Sequence, residues 1–215
     1  NLAPAGGPAA VALLRADALP AASGGPRLLL PIFREQVQVV ARADGRWRLL
    51  HQLKGAHLNV GEAGGARAHT ANALYRRLFG GNLPSWDIDR RDEASALREL
   101  LREGSALDAV IVVSDRPALE QLPAPMGAEL RTLVLDPQHP STAEVMRGFA
   151  VAPDPTGRGA QLQVTSYLVM TEAAGPAPAL QGLACALGRA QAELQQRGST
   201  LLRGIDLRTS FPGGW

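Results

Sequence analysis

Residues 109–113, Ala-Val-Ile-Val-Val, constrain this chain more than any other stretch. Apolar residues follow one another with no polar alternation, so a strand here has no face to offer to water and must be covered on both sides. Asp108 before it and Ser114-Asp115 after it mark its ends. Strands of this kind lie inside sheets flanked by helices, and the surrounding sequence supplies them. A helix is expected over residues 66–79, where Ala71, Leu74, Leu78 and Phe79 fall near helical spacing and Gly80-Gly81-Asn82 follows as a stop. A second is expected over residues 92–103, with Leu97, Leu100 and Leu101 on one face and Gly104 behind them.

Further strands are expected at residues 27–32, 57–60, 130–135 and 163–170, and one where Val37, Val39 and Ala41 alternate with Gln36, Gln38 and Arg42. Residues 116–122 read as a short helix, 142–147 as a helical turn, and 178–197 as an amphipathic helix carrying Leu180, Leu183, Leu187, Ala190 and Leu194. Strand and helix alternate through the middle of the chain. The fold class is therefore α/β, with a largely parallel sheet expected.

Charge and composition narrow the function. Lys and Arg number 22 against 20 Asp and Glu, a net charge of +2, with neither a basic run nor aromatics interleaved with Arg. That pattern argues against nucleic acid as a partner. No apolar run approaches the roughly 20 residues that span a bilayer. The single cysteine, Cys185, has no internal partner and sits among Leu183, Ala184, Ala186 and Leu187, the setting of an inert core thiol. His51, His57, His69 and His139 lack zinc-site spacing. There is no Gly-x-Ser-x-Gly elbow, no P-loop and no dinucleotide fingerprint. No catalytic residue, metal ligand or cofactor is expected, and the chain does not read as an enzyme. It starts at Asn1 without a Met, so an upstream segment, such as a signal peptide or part of a lobe, is expected.

Residues 53–80, LKGAHLNVGEAGGARAHTANALYRRLFG, resemble a segment of the TRAP-associated extracytoplasmic immunogenic (TAXI) family of solute receptors. That family has a Leu-Lys-Gly, a strand ending in Val-Gly, a glycine-rich turn and then a helix. Three other stretches keep the family's order: VALLRADAL at 11–19, RLLLPIFREQVQVVAR at 27–42 and LDAVIVVSDRP at 107–117. The resemblance implies a two-lobed fold like that of the type II periplasmic binding proteins. Residues 1–36 and 164–215 would form lobe 1, which lacks its initial strand-helix-strand, and residues 37–163 would form lobe 2. It also implies a periplasmic or otherwise extracytoplasmic receptor of a TRAP-type transporter. Such a receptor captures a small organic acid or amino acid and passes it to membrane transporter subunits. The alternative is a ligand-sensing or protein-interaction module of a larger protein, with binding lost or redirected.

Three places carry the expected ligand chemistry. A glycine turn between a strand and a helix presents backbone N–H groups at the positive end of the helix dipole, where a carboxylate or phosphate can sit. Gly64, Gly65 and Ala66 would donate there, with Arg67, His69 or Thr70 adding a side-chain donor. An ordinary strand-to-helix turn, with Arg67 in solvent, is the blander account. Ser114 and Arg116 follow the buried strand, at the end where open sheets bind ligands. They equally suit a helix start, with Ser114 or Asp115 as cap and Pro117 in the first turn. Tyr167 on the return strand and Asp17 on the first segment would line the interlobe cleft, or else serve as a half-buried strand residue and a turn cap.

Overall fold

The computed structural model describes residues 11–15, 27–153, 160–170 and 177–197. The chain divides into two compact units, Glu35–Val164 and a second drawn from the chain on either side of it. The class is mixed α/β with an open sheet.

In the Glu35–Val164 unit the strand made of apolar residues is β5 (Ala109–Ser114), and Ala109 to Val112 are buried. It is flanked by two strands. On one side lies β2 (Arg27–Arg42), antiparallel, with Gln36 opposite Ser114 and Ala41 opposite Ala109. On the other lies β3 (Leu58–Asn59), parallel, with Leu58 opposite Ala109. Beyond β3 comes β4 (Ile88–Asp89), also parallel.

The helices close both faces, as an unalternated strand requires. α1 (Ala66–Phe79) packs on β5 and buries Ala71, Leu74, Tyr75 and Leu78. α2 (Glu93–Leu101) brings Ala96, Leu97 and Leu100 into one cluster with Val40, Val110, Val112 and Leu130. Both helices stop and start on local chemistry. Gly80 takes the left-handed conformation at φ 76° and returns its N–H to the Arg76 carbonyl at 2.8 Å. Asp92 caps α2 by accepting the Ser95 N–H at 2.9 Å.

Past β5 the chain makes a 3-10 turn at Ala118–Gln121, then α3 (Ala124–Ala128) and β6 (Leu130–Thr132), which pairs antiparallel with β2. α4 (Ser141–Met146) packs against α1. β7 (Ala150–Pro153) pairs with the first part of β8 (Ala160–Met170). In the other unit, β1 (Val11–Arg15) pairs antiparallel with β8, Leu14 lying opposite Tyr167. α5 (Ala177–Gln196) follows. Among the described residues no helix is long and apolar enough to cross a membrane.

Four expectations are corrected. The sheet is not largely parallel: among the described pairings only β3 runs in parallel, with β4 and β5, while β2 runs against β5. The strand expected over residues 130–135 is regular only to Thr132, after which single contacts replace a ladder, such as the Leu133 N–H to the Val39 carbonyl at 2.8 Å. The short helix after β5 is a 3-10 turn with Pro117 at its N-cap and no side-chain capping bond, so neither Ser114 nor Asp115 caps it. Cys185 is exposed on α5, not buried.

Candidate functional site

β3 and β5 are parallel neighbours, so their carboxyl ends emerge at one edge of the sheet. From that edge the chain leaves in opposite directions. β3 continues through α1 to β4 on one side, while β5 continues to β6, which pairs with β2 on the other. Ligands of open α/β sheets bind at such strand ends. Here β3 ends opposite Val110, and β5 continues to Ser114 before its own loop begins.

The turn after β3 is built on glycine. Gly61 and Gly64 have φ of 76° and 73°, a region that costs side-chain-bearing residues about 1–2 kcal/mol. Gly61 is needed for space as well. A Cβ there would lie 2.5 Å from Arg67 Nη2. The Arg67 guanidinium folds across Gly61 towards the loop after β4. It pairs with Glu93 at 3.3 Å, and its Nη2 donates to the Arg91 carbonyl at 3.2 Å. Its side chain is only 18% exposed.

The same loop is gripped from below by Asn59, which is fully buried. Its Nδ2 donates to Asp89 Oδ1 at 2.7 Å and to the Arg91 carbonyl at 3.0 Å. Arg91 in turn pairs with Asp89 and with Glu99. Glu99 is held down to about 2 by hydrogen bonds from Arg102, with Ser105 and the Arg91 charge adding to them.

The loop after β5 is held differently. Gln38, buried on β2, donates from Nε2 to the Arg116 carbonyl at 3.2 Å and accepts the Ala118 N–H at 2.9 Å. The Ser114 hydroxyl and the Gln121 amide also donate to the Arg116 carbonyl. Arg116's own guanidinium is 69% exposed, with Asp115 3.8 Å away.

The expected site residues therefore sort into three groups. Gly64, Gly65, Ala66, Arg67, Ser114 and Arg116 stand at the shared sheet edge. Their chemistry is partly committed: the Gly65 N–H goes to the Glu62 carbonyl at 3.1 Å, Arg67 is neither in solvent nor unpaired, and Ser114 bonds within its own loop. Thr70 is buried in α1 with its hydroxyl on the Ala66 carbonyl at 3.2 Å, which makes it part of the helix and not a donor to a ligand at the turn. Tyr167 is half-buried on β8 in the other unit. Asp17 lies outside the described residues.

Asn59, Asp89, Arg91 and Gln38 were not singled out from sequence. A polar amide inside an apolar strand was the available signal for Asn59 and Gln38, because burying an amide costs free energy unless it is hydrogen-bonded. Both amide atoms of Gln38 are bonded, and Asn59 is bonded through Nδ2 but not Oδ1. Elsewhere, His51 and His139 stack with ring centroids 4.1 Å apart, and His139 Nδ1 takes the Ser141 N–H at 3.3 Å. Among the described residues no group of three His, Cys, Asp or Glu side chains is placed to hold a metal. Set against known proteins, the chain matches no family model and no curated protein.

Proposed function

We propose that this chain is the ligand-binding domain of an extracytoplasmic solute receptor. It takes a small organic anion at the β3 and β5 ends and delivers it to a TRAP-type membrane transporter. In this reading the two compact units are the lobes of a type II periplasmic-binding-protein-like fold, and β2 and β8 are the strands that run from one to the other. The observation that carries the reading is the divergence of the two parallel strands. Through it a glycine turn that opens a 14-residue helix and a loop carrying an exposed arginine both follow the carboxyl ends of neighbouring strands. The helix dipole favours an anion at α1's start. Arg116 is the cation best exposed to meet one, since Arg67 is occupied by Glu93.

A thermal-shift series of the chain with succinate, glutamate and inorganic phosphate tests this. A ligand at 100 times its Kd adds about 2.7 kcal/mol of stability. The expected result is a saturable rise with at least one anion that disappears in Arg116→Ala. A flat series on a folded chain supports the second reading, a sensing or interaction module whose solute binding has been redirected. The occupation of Arg67 and Ser114 by intramolecular partners favours that reading.

A further inference from the structure

We propose that a second site lies inside the Glu35–Val164 unit: the cavity beside β2, β6 and the first residues of β8 binds a small apolar monocarboxylate. The cavity measures about 390 Å³. That places it at the small end of the roughly 300–1,000 Å³ typical of small-molecule pockets. Its wall is largely aliphatic, with Val37, Leu119, Leu133 and Leu162 among the lining residues. Such a surface rewards an apolar body and rejects a hydrated one.

The polar groups on the wall are unequal. Gln38 is already committed on both its amide atoms to the loop after β5. Glu120 is exposed, so its carboxylate stays in water. Arg131 is different. Its Nε–H is buried with no hydrogen-bond partner, and its Nη2 reaches only a backbone acceptor, the Ala43 carbonyl. Asp44, whose field Arg131 feels, is gripped by Arg42 through two hydrogen bonds of 2.9 and 2.7 Å. Among the described residues Arg131 therefore has no carboxylate of its own, although guanidinium groups at half-buried positions ordinarily have one. An apolar chamber bordered, among the described residues, by a guanidinium without a carboxylate partner matches a ligand with a hydrocarbon body and a single carboxylate. The site differs from the proposed anion site: it shares no residue with the glycine turn and needs no dipole, although Pro117 of the loop after β5 stands on its wall.

The test is calorimetry on the whole chain with 3-phenylpropionate and with 3-phenylpropan-1-ol, which has the same body and no charge. The acid is expected to bind at least about tenfold more tightly, the return on one charge-assisted contact. Arg131→Met removes that preference and leaves the alcohol's affinity unchanged. Leu119→Trp fills the chamber and abolishes both, while circular dichroism and the melting curve confirm that the variant folds. Arg116→Ala leaves the acid's binding intact. Equal affinity for acid and alcohol overturns the proposal, as does the absence of binding by a folded chain. Acid binding that survives Leu119→Trp but is lost in Arg116→Ala also overturns it, because the acid then occupies the β3 and β5 ends and supports the earlier reading instead.

Discussion

The turn after β3 and the loop after β5 leave the same edge of the sheet from neighbouring strands, yet opposite means hold them. The first is held by charge. Gly61 clears room for Arg67 to reach Glu93 and the Arg91 carbonyl, so a cation ties the turn to the loop after β4. The second is held by a neutral amide, Gln38, reaching up from the antiparallel strand β2. A turn clasped by an arginine has used up the group best suited to grip an anion. A loop clasped by an amide leaves its arginine outside the clasp, and the Arg116 guanidinium is largely exposed, with Asp115 3.8 Å away. The glycine turn is the feature that stands out in the sequence, but the more exposed arginine lies on the other loop.

The sharpest way to break this contrast is Gly61→Val. It forces a β-branched residue to a φ of 76° and drives its Cβ into the Arg67 guanidinium. A loss of about 3 kcal/mol is expected in urea denaturation, with the turn after β3 losing amide-exchange protection before the loop after β5. A loss under about 1 kcal/mol would mean that Arg67 is not what holds the turn.

Gln38→Leu attacks the other loop. It buries the Ala118 N–H without an acceptor, and a loss of about 2 kcal/mol is expected. Gln38→Met, close in length and likewise without the amide, should lose a similar amount. A loss under about 1 kcal/mol in both variants would show that the hydrogen bond to Ala118 is not the link.

Asp92→Ala removes the cap of α2, immediately after the backbone that Arg67 holds, and about 1 kcal/mol is expected. Combined with Arg67→Ala, its effect should be less than additive, because both act on one loop. With Gln38→Leu it should add.

The smallest effect concerns acid. Glu99, which pairs with Arg91 beside the clasp, is held down from 4.5 to about 2. A carboxylate whose folded value is depressed stabilises the fold above its unfolded value. That contribution is lost as pH falls from about 4.5 through about 2. The stability difference between the native chain and Glu99→Gln should therefore be full at neutral pH and shrink across that window. Exchange protection of the loop after β5 should show no matching change, since a neutral amide holds it.

Local features were legible wherever the determinant lies within a few residues. The span of α1 follows from the spacing of Ala71, Leu74 and Leu78 and from Gly80, which alone accepts the left-handed stop without strain. The coverage of β5 on both faces follows from its unbroken apolar run. β4 and β7 went unseen because strands of two and four residues carry too little periodicity, and α3 because Pro123 and Pro125 mask a five-residue helix whose first turn tolerates proline. The exposure of Cys185 escaped notice because apolar neighbours along a helix need not share its face.

By itself, then, the sequence determined the helices α1 and α2, the strand β5 that needs cover on both faces, and that the middle of the chain is α/β. Those properties depend on backbone sterics and on the spacing of apolar side chains, both local. Only the tertiary structure decided that β2 runs against β5, that Arg67 is bound to Glu93 while Arg116 is exposed, and that Arg131 borders an apolar chamber without a carboxylate. Strand direction and ion pairing join residues as far apart as 26 to 78 positions in the chain. Their partners are chosen by packing, which no local pattern encodes.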